Sequence, residues 1–400
     1  MLRISERFSG NAGLLSWRCV RRALLALSLG ALALPAGAEG YGYAAPGGYG
    51  LKVYQASSAL YPYVQLYFRT FDQNQQPLVN LNEMNIGLMV KGRSYDPMKR
   101  QYFLQTLRQR QEAVRTVFVL DASKSMAGAP FETALRAAAR YIDGKRPQDE
   151  VAVLAIRDTK EGYELVSNFE RDGAALGRRI ADIRVDGMKT RLYDSIGAAI
   201  QMCGMAAQGS DVQAGAESHI ASCSAIVFSD GRDEGSAVSR EELNGRITQM
   251  AIPIPVYSLA YSRTSKEYFK NLEAISKNSF GVYYQIGEAV NQMTQVIEQI
   301  QNILLSDYVA TFLSYVPVDG EKHTVKLGVE YPSGSGKFTY DSVAFEALQP
   351  PPMPGIQNAV QMLQQKVVPV ASPYFDVAQP APAGGAMPVP PLGAPIPQAQ

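Results

Sequence analysis

Three short, continuous apolar runs limit what this chain can fold into. They are TVFVL at 116–120, VAVLAI at 151–156 and AIVF at 225–228. Runs of this length are typical of strands that are buried on both faces of a sheet. Segments with helical spacing alternate with them, at 131–142 and 192–206. The alternation predicts an α/β unit with a Rossmann-like, doubly wound parallel sheet that has helices on both faces.

A set of oxygen-bearing side chains follows the first of these runs. Asp121, Ser123 and Ser125 occupy alternate positions, so their side chains are expected on one side of the turn. A carboxylate with hydroxyls suits a hard cation such as Mg²⁺. One carboxylate and two neutral hydroxyls would hold such an ion poorly. We therefore expect further ligands from other segments.

Two further residues are candidates for completing this set. Thr190 lies just before a predicted helix, and Asp230 follows the run at 225–228. In an open parallel sheet, ligands bind at the carboxyl ends of the strands. We therefore expect both residues at the same edge of the sheet as Asp121. Taken singly, each is also an ordinary turn or helix-capping residue.

The motifs D-x-S-x-S from 121, T-x-L-Y-D from 190 and S-D-G from 229 together resemble a known site. They are similar to the metal-ion-dependent adhesion site of the von Willebrand factor A family, and the resemblance covers about 112–305. It implies direct metal binding by Ser123 and Ser125, binding by Thr190 directly or through water, and binding by Asp121 and Asp230 mostly through waters.

The same resemblance implies Mg²⁺ or Mn²⁺ as the metal, with one coordination position left for an Asp or Glu of a protein partner. Lys124 departs from the family pattern, in which glycine is common. Its ammonium would weaken the metal site or favour an acidic partner. We assign Asp194 a structural role and Asp233 no role beyond surface solvation.

Alternating strand patterns occur on both sides of the α/β unit, at 51–111 and 306–348. Examples are 63–68 and 323–331. We predict that these segments pair into one small β-sandwich beside the α/β unit. The resemblance supports this prediction, because bacterial members of the family carry a companion sandwich formed in this way.

The N-terminal segment 1–38 has the pattern of a signal peptide. Arg18, Arg21 and Arg22 precede an apolar run at 23–34, and Ala36-Gly37-Ala38 provides a cleavage site. The run is shorter than the roughly 20 residues that span a bilayer. Export to the periplasm or cell surface is therefore predicted, with no transmembrane span after cleavage. An uncleaved anchor or a buried helix is the alternative.

The other parts of the chain give coarser expectations. Residues 39–50 are rich in Gly and Tyr and are predicted to be a flexible linker. The Pro- and Ala-rich tail at 349–400 is predicted to be mostly disordered, with one short helix within 356–368. Cys203 and Cys223 remain after cleavage and permit one disulfide. Two unpaired cysteines are the alternative.

Catalysis and nucleic-acid binding lack their usual sequence features. The formal net charge is +1, and the chain contains two histidines. The sequence has no G-x-S-x-G, H-E-x-x-H or phosphate-binding loop motif.

We therefore predict a non-enzyme: an exported, metal-dependent protein-binding module for adhesion or assembly. One alternative is a structural component of an envelope assembly, in which the metal only stabilises the fold. Another is a sensor with a movable helix at 288–305.

Overall fold

The computed structural model describes most of the chain between Gly48 and Val370. The described ranges are 48–73, 76–209, 220–250, 252–261, 267–286 and 292–370. The predicted signal peptide, most of the predicted linker and residues 371–400 lie outside them.

The described residues form fourteen strands and seven α-helices. The strands are β1 (Tyr49–Leu60), β2 (Tyr63–Asp72), β3 (Ile86–Val90), β4 (Arg93–Ser94), β5 (Tyr102–Thr106), β6 (Ala113–Asp121), β7 (Glu150–Ile156), β8 (Tyr163–Glu170), β9 (Ile220–Ser229), β10 (Val256–Ala260), β11 (Tyr283–Gln285), β12 (Tyr308–Leu313), β13 (Lys322–Glu330) and β14 (Phe338–Glu346). The helices are α1 (Ala129–Gly144), α2 (Gly173–Ala181), α3 (Leu192–Gly209), α4 (Arg240–Thr248), α5 (Phe269–Asn278), α6 (Gln292–Ser306) and α7 (Pro354–Gln364).

A six-stranded sheet forms the centre of the α/β unit, in the order β11-β10-β9-β6-β7-β8. Its strands run parallel except for β8, which pairs with β7 in the antiparallel direction. Helices α1, α2 and α6 pack on one face, and α3, α4 and α5 pack on the other. The predicted doubly wound α/β fold is confirmed. The apolar runs are continuous because the inner strands are covered on both faces.

Two antiparallel sheets form the sandwich beside this unit, in the orders β1-β2-β12-β5 and β14-β13-β3-β4. Each sheet combines strands from before and after the α/β unit, as predicted. Aromatic side chains such as Phe68, Phe312 and Phe345 fill the space between the sheets. The α/β unit therefore lies, in the sequence, between β5 and β12 of the sandwich.

The predicted linker and the predicted tail both contribute residues to ordered elements. Strand β1 begins at Tyr49, so the last two residues of the predicted linker belong to the sandwich, where the Tyr49 ring is buried. Helix α7 forms within the predicted tail, and Leu363 and Val367 pack against Tyr63. Val370 reaches the sandwich core. Helix α7 overlaps the short helix predicted within 356–368, and it forms where apolar side chains of the tail cover a face of the sandwich.

The sandwich and the central sheet share a buried polar contact. Arg69 of β2 forms an ion pair with Asp307, which lies between α6 and β12, and donates a hydrogen bond from Nη1 to the Tyr257 hydroxyl of β10 at 2.6 Å. The two units therefore contact each other through charged and polar groups as well as apolar ones. No helix in the described ranges is long and apolar enough to cross a membrane.

Candidate metal site

The first loop of the site begins where β6 ends. Asp121 is fully buried, and its two carboxylate oxygens accept hydrogen bonds from Ser123 N at 3.0 Å and from Ser229 Oγ at 2.7 Å. The Oγ atoms of Ser123 and Ser125 lie 3.0 Å apart. Ser123 is buried, whereas Ser125 is exposed. The loop thus places a buried carboxylate and, next to it, one buried and one exposed hydroxyl.

The second loop is attached to the first by backbone hydrogen bonds at Gly187. Lys124 N donates to Gly187 O at 2.9 Å, and Gly187 N donates to Ala122 O at 3.1 Å. A Cβ at position 187 would lie 3.2 Å from Ala122 O, so glycine permits this close approach. Thr190 follows three residues later and is buried.

The third loop follows β9 and is attached to the second. Glu234 N donates to Thr190 O at 2.7 Å. Asp230 is half-buried, and its Oδ1 accepts from Arg232 N at 3.0 Å. The structure therefore places the five predicted residues, Asp121, Ser123, Ser125, Thr190 and Asp230, on three mutually bonded loops at the carboxyl edge of the sheet.

The electrostatics of the site are those of two nearby carboxylates in a poorly hydrated place. Burial, and to a smaller extent the charge of Asp230, together raise the pKa of Asp121 to about 6, although the hydrogen bonds from Ser123 and Ser229 lower it. A divalent cation would offset both negative charges. In the described part of the chain, no group of three or more His, Cys, Asp or Glu residues is placed to hold a metal. Hydroxyl groups would therefore have to share the coordination.

Two acidic residues accept backbone hydrogen bonds that fix the loops of the site. The sequence analysis did not connect either residue to the site. Asp233, which was assigned only surface solvation, accepts hydrogen bonds from Leu192 N at 2.9 Å and Tyr193 N at 3.4 Å. It thus caps helix α3 from another loop. Asp158 accepts from Met188 N at 2.6 Å and Lys189 N at 2.9 Å. The sequence gives one signal for the contact of Asp233 with α3, which is that Arg191, a poor capping residue, precedes the helix.

Asp194 has the structural role that its sequence context indicates. Its carboxylate accepts hydrogen bonds from Ala237 N at 2.9 Å and Val238 N at 3.1 Å. It also accepts from Arg191 Nε at 2.7 Å. These contacts join the start of α3 to the loop after β9. Asp194 therefore orients the second and third loops relative to each other.

Cys203 and Cys223 are joined by a disulfide in the structure, with their Cα atoms 5.5 Å apart. Cys203 lies on α3 and Cys223 on β9, at the opposite end of β9 from Ser229. The bridge therefore connects a helix to the central sheet on the side away from the candidate metal site.

Removing this bridge is expected to lower the free energy of unfolding by about 3 kcal/mol, because the crosslink restricts the unfolded chain. The two cysteines are 20 positions apart. The measurement is urea denaturation with and without dithiothreitol. The C203S/C223S double variant is the control, since reductant should not change its midpoint. Equal midpoints for oxidised and reduced wild type would contradict the expectation.

Comparison with protein families matches part of the chain to a known domain. Residues 116–232 match the sequence profile of the von Willebrand factor type A domain. No curated protein matches the sequence.

Three solved structures show similarity at low sequence identity. A von Willebrand factor type A protein from Catenulispora acidiphila is 12% identical over 76% of this chain and 74% of its own, with a TM-score of 0.40. The SpRpn10 VWA domain is 15% identical over 47% of this chain and 94% of its own, with a TM-score of 0.34. The N-terminal domains of the type V pili tip protein Mfa5 from Porphyromonas gingivalis are 14% identical over 48% of this chain and 28% of their own, with a TM-score of 0.25.

The sequence match runs from β6 to the loop after β9. It includes all five candidate ligands: Asp121, Ser123 and Ser125 at the end of β6 and on the following loop, Thr190 before α3, and Asp230 after β9. The chain therefore contains a von Willebrand factor type A domain, matched over residues 116–232.

Proposed function

We propose that this chain is a metal-dependent protein-binding module that acts in the cell envelope. The observation that carries the proposal is the arrangement of Asp121, Ser123, Ser125, Thr190 and Asp230 on three bonded loops at one sheet edge. Domains of this type typically mediate protein interactions. The predicted signal peptide at 1–38 supports a location in the periplasm or at the cell surface.

The residues present fit a hard divalent cation, Mg²⁺ or Mn²⁺. Hydroxyls of Ser123, Ser125 and Thr190 would supply neutral oxygen ligands, and Asp121 and Asp230 would supply the negative charge, directly or through water. When bound, the cation supplies a Lewis-acidic position for a carboxylate. Because these three hydroxyls are neutral, they would leave much of the positive charge of a bound cation available to an additional anionic ligand.

The opening of the site fits an acidic group on a partner. Ser125 and Lys124 are exposed, and Met188, which is 64% exposed, lies on the adjacent loop. The ammonium of Lys124 favours an Asp or Glu of the partner near the metal. Directional coordination by a metal gives reversible binding without a large apolar interface.

Metal binding is tested by thermal denaturation of the mature chain in excess Mg²⁺ and in EDTA. A cation that binds only the folded state stabilises it by about 2.7 kcal/mol at a concentration one hundred times its Kd. We expect Mg²⁺ to raise the midpoint of the wild type but not of S125A or D121N. Ser125 is exposed, so its replacement does not threaten folding. The matched control is S333A, an exposed serine in the sandwich, which should respond like the wild type.

An equal Mg²⁺ response of wild type and S125A, or no response at millimolar Mg²⁺ or Mn²⁺, would overturn metal binding at this site. Partner binding separates the two functions weighed from the sequence. Binding that is lost in EDTA and restored by Mg²⁺ supports the adhesion-type module. Binding that survives chelation supports the structural envelope component instead.

A further inference from the structure

An apolar pocket of about 300 Å³ lies at the end of the central sheet opposite the candidate metal site. It is bounded by the sandwich on one side and by the start of β9 on the other. Its apolar walls include Phe71 of β2, Leu304 of α6, Ile254 and Phe280. The disulfide between Cys203 and Cys223 forms a further part of the wall.

The pocket lies beside the first residues of β9, with which β10 does not pair. Strand β9 starts at Ile220, but its pairing with β10 starts only at Ala225, opposite Val256. Ala225 N donates to Pro255 O at 2.9 Å. Pro255 has no N–H, and Pro253 has none either, so this segment cannot continue the ladder toward Cys223.

The uncovered end of β9 presents polar groups to the pocket. Backbone groups alternate in direction along a strand, so the N–H and C=O of Cys223 point to the same side as those of Ala225. The hydroxyls of Ser222 and Ser224 also line the pocket. Both Oγ atoms are buried and have no hydrogen-bond partner among the residues that the structure describes, and Ser224 is only 1% exposed. Buried hydroxyls are normally bonded, so these two indicate a missing partner.

Two charged side chains, Arg69 and Lys52, belong to the described lining of the pocket, and each lies beside a carboxylate. Arg69 donates from Nε and Nη2 to the two carboxylate oxygens of Asp307, each at 2.8 Å. Lys52 Nζ lies 3.4 Å from Asp341. An ionic ligand would lose its hydration without gaining a free counter-charge. The pocket therefore favours an uncharged ligand.

We propose that this pocket binds a neutral, largely apolar small molecule carrying one or two hydrogen-bonding groups, such as a medium-chain alcohol, amide or arylamine. The apolar part would fill the space between Phe71, Phe280 and Leu304. The polar group would bond to the hydroxyls of Ser222 and Ser224. This site is separate from the metal site and does not depend on it.

The test uses the full mature chain and N-phenylnaphthylamine, a neutral apolar fluorophore with one N–H group. We expect saturable binding to the wild type that is the same in Mg²⁺ and in EDTA. S224A should weaken binding about five-fold, since one hydrogen bond to the ligand is lost. S224A should also raise the melting midpoint of the probe-free protein, because it removes a buried hydroxyl that has no partner.

A blocking variant separates this pocket from other apolar surfaces. Gly204 lines the pocket, and a Cβ built there meets no heavy atom of the described residues within 4 Å. G204W should therefore fill the pocket and abolish saturable binding. The matched control is G177W on α2, where a Cβ also has open space and which lies outside the pocket.

Three results would each overturn the proposal: no saturable binding to the wild type, unchanged binding to G204W, or equal loss of binding in G177W. Unchanged affinity of S224A would overturn the role of the hydroxyl. Because the readout does not require metal, failure here leaves the proposed metal-dependent function standing, and failure of the metal test leaves this proposal standing.

Discussion

Replacement of Asp307 by alanine is expected to lower the free energy of unfolding by about 3–5 kcal/mol. Asp307 is 1% exposed and accepts two hydrogen bonds from Arg69, which is 8% exposed. Removal of the carboxylate leaves a guanidinium inside the protein with only the Tyr257 hydroxyl as a described side-chain partner. The measurement is urea denaturation followed by circular dichroism.

A surface ion pair provides the matched control for D307A. Arg140 and Glu298 form a pair at 2.7 Å, but their side chains are 60% and 45% exposed. Because water screens such a pair, E298A should cost no more than about 1 kcal/mol. The double variant R69M/D307L should recover most of the stability lost in D307A, since it leaves no buried charge. A loss in D307A no greater than that in E298A would contradict the prediction.

Replacement of Phe118 by alanine is also expected to lower the free energy of unfolding by about 3–5 kcal/mol. Phe118 lies in the middle of β6, with strands on both sides, and is fully buried. Its ring centroid is 5.2 Å from that of Tyr141 on α1 and 5.9 Å from that of Phe228 on β9. The variant leaves a cavity between the sheet and α1 that the surrounding strands cannot close.

The control for F118A is F338A in the sandwich. Phe338 is 36% exposed on β14, so its removal creates no enclosed cavity. We expect it to cost clearly less than F118A when both are measured by urea denaturation. An unchanged denaturant slope would show that the native and unfolded states keep their exposed areas. An equal loss of unfolding free energy in F118A and F338A would contradict the prediction that the buried ring of Phe118 contributes more to stability.

The candidate site could be predicted from the sequence because its residues lie at the ends of elements that the sequence reveals. Asp121 and Asp230 each follow a continuous apolar run, and parallel strands bring their carboxyl ends to one edge. The supports of the site could not be predicted in this way. Gly187 and Asp233 act on loops that are distant in sequence, and neither position has a local pattern that names its partner.

The sequence analysis did not predict helix α2. It contains Gly173 and Gly177, which lower helix propensity. The helix forms because Asp172 accepts hydrogen bonds from Ala174 N at 2.9 Å and Ala175 N at 3.1 Å. Leu176 and Ile180 then pack in the same core cluster as α1. A cap and tertiary burial together outweigh an unfavourable composition.

The sequence by itself determined that buried strands alternate with helices in the α/β unit, because periodicity and continuous apolar runs are properties of neighbouring residues. It also determined which oxygen-bearing side chains leave the strands at one edge. Only the tertiary structure decided that Arg69 meets Asp307, 238 positions away, and that β10 leaves the start of β9 uncovered. These contacts depend on how sheets pack and which strands become neighbours, and no local pattern carries that information.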